Sequence, residues 1–338
     1  MSSKPLVSII TPSYNQVLYL EKTIRSVLGQ NYQPIEYFVV DGASTDGSLD
    51  IIQRYSEKIS WWVSEPDSGQ AEAINKGLSR TTGDIIGWLN SDDIYLPGAI
   101  QQAVEILSIQ PQLGLVYSDA ITIDADGTPL NFLEFGDWQL LDLISFRIIC
   151  QPAVFFRRET LEKAGLLDPD YHYLLDHNLW IRMAREMPIQ HARPEYKQVS
   201  TGNGNRYKGL WAAARHHPGA KNVAQSGAFS SEILKLLDWM RSQPDLSEII
   251  ENNSKKVFGG AYRLHARYLL DGGQPREALN SYFKAFRYDQ RYTLKHLNRI
   301  LFSIAALIIG EKSAGKLKRL KDTTKPLDYG FEEILDWS

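Results

Sequence analysis

The chain holds 338 residues, 43% of them hydrophobic, enough for one large domain or for one large and one small. A formal charge of −3 and a pI near 6.2 exclude the global basic field that attracts nucleic acid. A single cysteine, Cys150, excludes an internal disulfide framework and fits a reducing compartment.

The opening MSSKPLVSII carries one lysine and a short apolar run broken at Thr11-Pro12, which is not the pattern of a signal peptide. Leu6 to Thr11 reads as a buried strand stopped by Pro12-Ser13-Tyr14-Asn15. Leu20, Ile24, Val27 and Leu28 then fall on one face of a helix ending at Gly29. Ile35 to Val40 is a second strand, ending at Asp41-Gly42, and Asp46 is placed to cap a helix containing Leu49, Ile51 and Ile52. Trp61 to Val63 is a third strand, Ala71 to Leu78 a helix, and Asp84 to Leu89 a fourth strand running into Asn90-Ser91-Asp92-Asp93. This alternation predicts an α/β fold with a mostly parallel, twisted sheet flanked by helices.

After Pro97 the rhythm changes. A helix is expected to about Ile109. Leu115 to Asp124 and Leu130 to Phe132 flank Asp126-Gly127 as a hairpin, Ala153 to Phe156 is another apolar run, and Asp176 to Arg185 is helical. Ser200 to Lys208 is rich in Gly and Asn and reads as a loop. From Gly227 the signals are helical, and Gly273, Ala278, Tyr282 and Ala285 are spaced as in one tetratricopeptide-like hairpin.

Four features carry chemistry. Polar and acidic residues sit at the carboxyl ends of three predicted parallel strands (Thr11 to Asn15, Asp41, and Asn90 to Asp93), the edge at which open α/β sheets bind ligands. Any one of these alone also suits an ordinary turn. Asp92 and Asp93 follow a buried strand and repel each other, which a divalent cation, Mg²⁺ or Mn²⁺, offsets; a helix-capping pair before Pro97 is the alternative. Asp176 opens a helix, either as a cap or as a general base. Arg215, His216, His217 and Lys221 cluster in RHHPGAK, where Arg215 and His217 could stabilise a diphosphate leaving group or form a solvated basic turn. There is no GxGxxG after the first strand, no GxxxxGK[ST] and no zinc-spaced His/Cys cluster.

The ordered segments VSIITPSYNQ, FVVDGASTDGS, SEPDSGQAEAINKG and TGDIIGWLNSDD, spanning residues 5 to 98, resemble the family 2 inverting glycosyltransferases of GT-A fold. Weaker resemblance continues through CQPAVFF, YLLDHNLWIRMA and RHHPGAK to about residue 225. The resemblance implies a GT-A domain over 1–225, with a nucleotide-sugar-binding half (1–100) and an acceptor half (101–225), followed by a helical extension over 226–338. Thr11, Pro12 and Tyr14 then belong to the turn that cradles the base, and Asp41 is its base-contacting acid. Asp67, Gly69, Gln70 and Asn75 line the donor pocket. Ser91 and Asp92 fall in the DxD-type ribose and metal motif, with Asn90 replacing an acid common among relatives. Asp92 and Asp93 bind the metal. Asp176 is the catalytic base, with Asn178 where many relatives carry a second acid. Gln151 and Trp180 stand on the acceptor side.

The implied reaction moves a sugar from a UDP-, GDP- or dTDP-linked donor to a hydroxyl of a saccharide or lipid-linked saccharide, in cell-surface polysaccharide or glycolipid synthesis. A sugar nucleotidyltransferase or a non-catalytic carbohydrate-binding relative of the same fold are the rival readings. The expected location is cytoplasmic, either free or at the inner face of the membrane. The longest apolar run, Ile300 to Ile309, is about half the ~20 residues that span a bilayer. It precedes Lys312, Lys316, Lys318, Arg319, Lys321 and Lys325, with only Glu311 and Asp322 in opposition, a pattern that suits a peripheral membrane contact or a buried terminal helix with a solvated basic tail.

Overall fold

A computed structural model describes residues 4–193, 209–221 and 225–310. The expected loop at Ser200 to Lys208 and the basic stretch after Gly310 lie outside the described residues. The described chain divides into two compact units. One runs through Gln139 and from Ile149 to His217; the other takes Leu140–Ile148 and the residues from Pro218.

The first unit begins with β1 (Val7–Ser13), α1 (Leu20–Leu28), β2 (Ile35–Asp41), α2 (Ser48–Arg54), β3 (Trp61–Ser64), α3 (Gln70–Leu78) and β4 (Ile85–Trp88). These are the predicted elements to within two residues. β1 is buried along its whole length, as a strand covered on both faces must be. It pairs in parallel with β2, Val7 opposite Ile35 and Ser13 opposite Asp41, and with β4 on its other side. Helix α1 buries Leu20, Ile24 and Val27, and α3 lies so close to β1 that a Cβ on Gly77 would come within 2.6 Å of Ile10.

Next come β5 (Ile94–Tyr95), α4 (Ala99–Ile109), β6 (Leu115–Ser118), β7 (Ala120–Ile123) and β8 (Pro129–Leu133). The run expected as one strand from Leu115 to Asp124 is two strands, broken at Asp119. With β9 (Val154–Arg157), β10 (Ile189–Ala192) and β11 (Ala212–Arg215), β6 belongs to a seven-stranded sheet of order β10-β6-β9-β4-β1-β2-β3, and β7 to a four-stranded sheet of order β5-β11-β7-β8. The break is held by the buried Asp119 carboxylate, which accepts the Phe135 N–H at 2.8 Å and pairs with His191 Nε2 at 2.8 Å. The predicted hairpin joins β7 to β8, where Asp124 Oδ1 accepts the N–H groups of Asp126, Gly127 and Thr128. The unit closes with β9 (Val154–Arg157), α6 (Arg158–Ala164), α7 (Leu175–Glu186), β10 (Ile189–Ala192) and β11 (Ala212–Arg215); α5 (Leu140–Ile144) falls in the second unit. In the large sheet β9 alone runs against its neighbours β4 and β6.

The second unit adds α8 (Ser226–Ser242), α9 (Pro244–Asn252), α10 (Ser254–Asp271), α11 (Pro275–Tyr288), α12 (Gln290–Leu294) and α13 (Leu297–Ile309). Proline opens α9 and α11, where its missing N–H costs nothing. Ala278, Tyr282 and Ala285 are buried in the α10–α11 hairpin. The segment around α5 packs on α10 so tightly that a Cβ on Gly260 would overlap the Ser145 carbonyl, and Lys256 Nζ pairs with Asp142 at 2.8 Å.

Candidate active site at the carboxyl edge of the large sheet

Because β1 to β4 and β6 run one way and β9 the other, the ends of those strands and the start of β9 share one edge. That edge collects most of the residues singled out from the sequence.

At its β1–β2 end, two loops are laced together. The Asn15 N–H donates to Ser44 Oγ at 2.8 Å, the Thr45 N–H to Asn15 Oδ1 at 2.9 Å, the Gln16 N–H to Ser48 Oγ at 3.0 Å and the Val17 N–H to Asp46 Oδ2 at 2.9 Å. Asn15 and Ala43 adopt left-handed backbone (φ 51° and 61°), a conformation that the cross-links sustain. Asp46 also accepts the Ser48 N–H, but it is not the cap expected: the N-cap of α2 is Gly47, with left-handed backbone and no side-chain cap bond. Thr11 is buried beneath, its hydroxyl receiving Tyr37 OH at 3.0 Å, and Pro12 is buried within β1. Asp41 has no exposed surface. Its carboxylate accepts the Ser44 N–H at 2.9 Å, Ser44 Oγ at 2.5 Å and Ser64 Oγ at 2.6 Å, so it anchors the loop from below. Of the donor-side residues expected here, the Tyr14 ring is 64% exposed and Asp67 is half-buried. Both crowd Gly42, where a Cβ would sit 2.8 Å from Asp67 Oδ2 and 3.3 Å from the Tyr14 ring. Asp67 Oδ1 accepts the Gly69 N–H at 2.9 Å. Burial, with the charges of Glu72 and Asp41, raises the Asp67 carboxyl above its ordinary range despite that bond.

Along the middle of the edge a directed hydrogen-bond network forms. Trp88 Nε1 and Gln70 Nε2 each donate to Asn90 Oδ1 at 2.8 Å. Asn90 Nδ2 donates to Gln151 Oε1 at 3.0 Å and to Asp93 Oδ2 at 3.3 Å, and Gln151 Nε2 donates to the Trp88 carbonyl. An indole N–H can only donate and a carbonyl can only accept, so both amides are fixed in orientation. Gly69, φ 134°, precedes α3, and His172 approaches it, Nδ1 lying 4.0 Å from where a Gly69 Cβ would stand. No sequence signal singled out His172. Asn75 is turned away: its amide makes two bonds to the Leu167 backbone, at 2.8 and 3.0 Å, and holds that loop.

The acid pair stands where β4 ends. Thr23 Oγ1 donates to the carbonyls of Ser91 and Asp93, and Ser91 is itself buried. Asp93 is buried. Its Oδ1 accepts the Arg215 N–H at 2.8 Å, and burial, with the adjacent Asp92 charge, pushes its carboxyl well above the carboxylate range even though the Arg215 and Asn90 donors oppose this. Asp92 keeps 20% of its side chain exposed and turns Oδ2 to His217 Nε2 at 3.1 Å. The His217 ring packs on Tyr19, centroids 4.7 Å apart, and the Arg215 guanidinium lies 4.8 Å over that same ring. Arg215 is buried as a clamp: Nε donates to the Asp92 carbonyl at 2.9 Å and Nη1 to the carbonyls of Asp124 and Ala125. It secures the loops around the acid pair rather than offering a solvated cation. His217, 125 residues from Asp92 in sequence, was expected at the leaving group and instead joins the acid pair directly.

Asp176 opens α7, half-buried, with Oδ1 accepting the His177 N–H at 2.7 Å. Cys150 feels both acids: its thiol is held well above its ordinary value by burial first and then by the charges of Asp93 and Asp176. Asp176 and the acid pair thus belong to one electrostatic neighbourhood. Trp180, expected on the acceptor side, is a core residue instead, packed 6.1 Å from Trp88 and 5.7 Å from Phe156 between ring centroids. Among the described residues, no group of three or more His, Cys, Asp and Glu side chains converges as a ready-made metal cage. Asp92 and His217 form a two-residue donor set of oxygen and nitrogen.

Residues 8–164 match the profile described as glycosyl transferase family 2. An uncharacterised glycosyltransferase of Mycobacterium tuberculosis is 31% identical over 192 residues, 54% of this chain and 71% of that protein. The chain belongs to the family 2 glycosyltransferases. The glycosyltransferase is also 32% identical over 194 residues to an uncharacterised glycosyltransferase of Rickettsia typhi (54% of this chain, 59% of that one). With TuaG of Bacillus subtilis, named for teichuronic acid biosynthesis, it shares 39% identity over 131 residues (38% and 52%). It therefore spans little more than half the length of these last two relatives. Among solved structures, the mannosyltransferase PcManGT of Pyrobaculum calidifontis, in complex with GDP-Man and Mn²⁺, superposes with a TM-score of 0.56 at 18% identity, covering 95% of this chain and 89% of that one. S. aureus TarS 1-349, in complex with UDP-GlcNAc, gives 0.52 at 15%, covering 90% and 92%. At those identities the likeness speaks for the fold, which is GT-A.

Proposed function

We propose that this glycosyltransferase is divalent-metal-dependent and inverting, and moves a sugar from a nucleoside diphosphate donor to a hydroxyl of a saccharide or lipid-linked saccharide. The observation that carries the proposal is the Asp92–His217 pair, 3.1 Å apart beside the buried Asp93, in one neighbourhood with Asp176. Two adjacent carboxylates, one of them pushed toward protonation by burial, form a site short of positive charge, and a divalent cation suits it. Asp92 and His217 would hold the ion, with Asp93 behind them; an imidazole ligand favours Mn²⁺ over Mg²⁺. Asp92 and His217 would thereby place a divalent charge that could offset the developing charge of the leaving diphosphate.

The remaining work falls to side chains. Asp176 accepts the proton of the acceptor hydroxyl as that oxygen attacks the anomeric carbon, a role worth ~10²–10⁴ in rate. A single displacement inverts the anomeric centre. Gln151, fixed by Asn90 and the Trp88 carbonyl, supports the acceptor side. At the far end of the edge, the Tyr14 ring offers a stacking face, and Asp67 Oδ2, which has no donor from the described residues, suits a ring N–H of uracil, thymine or guanine. PcManGT and TarS, bound to GDP-Man and UDP-GlcNAc, make those nucleotide classes the first donors to test, with dTDP-sugars beside them.

Residues 1–225 would carry this chemistry, donor side in 1–100 and acceptor side in 101–225, with 226–338 as the helical extension. TuaG's name makes a cell-surface polysaccharide the favoured product class. No helix among the described residues is long and apolar enough to cross a membrane, and work at the cytoplasmic face is the proposed location. The test is release of nucleoside diphosphate from UDP-, GDP- and dTDP-sugars with Mn²⁺ or EDTA. Turnover that survives EDTA unchanged would remove the metal from the scheme.

A further inference from the structure

Helix α13 packs the wrong way round for a terminal helix that only completes a core. It buries Ser303 and Ala306 and seats Phe302 against Leu269, Leu270 and Ala278. Its large aliphatic residues face outward: Leu301 is 54% exposed and Ile308 76%, with Leu297, Ile304, Leu307 and Ile309 also exposed. No exposed residue of this helix is charged, since Arg299 is only half-exposed and pairs with Asp271 at 2.9 Å. Isolated exposed leucines are unremarkable, but a continuous row on one helix is a contact surface.

The charge around the row says what covers it. From Lys284 to Lys325 the sequence holds eleven Lys and Arg against three acids, in a chain whose formal charge is −3. Five of the eleven are described: Lys284 and Arg287 in α11, Arg291 in α12, Lys295 in the turn after it and Arg299 in α13 itself. A second copy of this chain would bring like charge to like charge. It would also gain little area, because thirteen residues make a face of about 20 Å by 10 Å, roughly 200 Å² a side against the ~800 Å² typical of a stable pair. A lipid bilayer with anionic headgroups meets both demands, since it takes an uncharged aliphatic row into the acyl boundary while the flanking cations sit among phosphates.

We infer that the exposed face of α13, with its basic flanks, is a docking surface for anionic phospholipid membranes, independent of the transfer reaction. Flotation of the full chain is measured with vesicles of phosphatidylcholine alone and of phosphatidylcholine mixed with phosphatidylglycerol. The expected result is recovery with the anionic vesicles only, falling at high salt, and falling at least ~10-fold in the L301E/I308E variant. Both positions are exposed, so unchanged thermal unfolding checks that the variant is folded. R287A/R291A/K295A, at exposed positions before the row, should weaken flotation while leaving the aliphatic row intact. Equal recovery in the unbound fraction with both vesicle types overturns the inference. So does a concentration-dependent dimer that L301E/I308E abolishes in the absence of any vesicle binding.

Discussion

The hydrogen-bond network around Asn90 makes N90D a sharp test of the site's construction. In that variant, a carboxylate oxygen replaces Nδ2 and faces Asp93 Oδ2 at 3.3 Å and Gln151 Oε1 at 3.0 Å. Gln151 cannot turn to help, because its own amide donates to the Trp88 carbonyl. If both acids stay ionised, they repel by about 5 kcal/mol at 3.3 Å with an effective dielectric of ~20. If the pair instead shares a proton, holding it at pH 7 against an ordinary aspartate value of ~3.9 costs about 4 kcal/mol. Either route predicts a loss of about 4 kcal/mol at pH 7. The introduced acid has its folded-state value raised, so the penalty is absent below the unfolded value and grows by ~1.4 kcal/mol per pH unit as pH rises between the two. Urea unfolding followed by tryptophan emission at pH 5 and pH 8 reads this directly, because Trp88 is part of the network. An N90D variant as stable as the parent at pH 8, with unchanged turnover, would refute the reasoning.

Other consequences are simpler. D92N and H217N should each raise the Mn²⁺ concentration needed for half-maximal turnover by at least ~10-fold, and excess EDTA should silence the parent; isothermal titration with Mn²⁺ and nucleoside diphosphate checks the first point. D176N should bind donor normally while single-turnover transfer falls ~10²-fold or more, and a loss of donor affinity with normal chemistry would make Asp176 a donor-site residue. G42A should weaken donor affinity without lowering stability much, since its Cβ meets Asp67 and Tyr14 at the edge rather than in the core. Glu36 lies at the opposite end of the sheet. Burial alone would raise its carboxyl, but donors from Ser8, Thr82 and Gly83 outweigh burial and hold it below its ordinary value. Its contribution is therefore present above the unfolded value and lost as pH falls toward the folded one. E36Q should cost about 1–3 kcal/mol in denaturant unfolding at pH 7, and less at pH 4.

The alternation from Val7 to Trp88 was readable because each element carries its own period and its own stop, from Thr11-Pro12 to Gly29 to Asp41-Gly42. Strand direction was less so. Nothing in Ala153 to Phe156 states that β9 runs antiparallel, yet that reversal brings Gln151 to the edge beside Asn90. The break at Asp119 was hidden because Ser118-Asp119 sits between two apolar, β-branched runs with no glycine or proline to mark a stop, and the cause is a buried pairing with His191 from 72 residues away. Side-chain direction was hardest to foresee. Trp180 faces the core, Asn75 holds the Leu167 loop, Arg215 turns Nε and Nη1 to backbone carbonyls, and His217 reaches Asp92 from a distant strand end. Each outcome depends on partners that sequence spacing does not specify. The α13 row was visible as an apolar run, but which of its residues face outward depends on the hairpin it packs against.

The central claim is that Asp92 and His217 hold a divalent ion that works with Asp176 to transfer a donor sugar. The most direct measurement is the rate of nucleoside diphosphate release from a panel of UDP-, GDP- and dTDP-sugars, with Mn²⁺ or with EDTA, for the parent, D92N and D176N. The prediction is that at least one donor turns over with Mn²⁺, stops with EDTA, and falls by ~10²-fold or more in both variants. Turnover that is indifferent to EDTA, or undiminished in D92N and D176N, would contradict it.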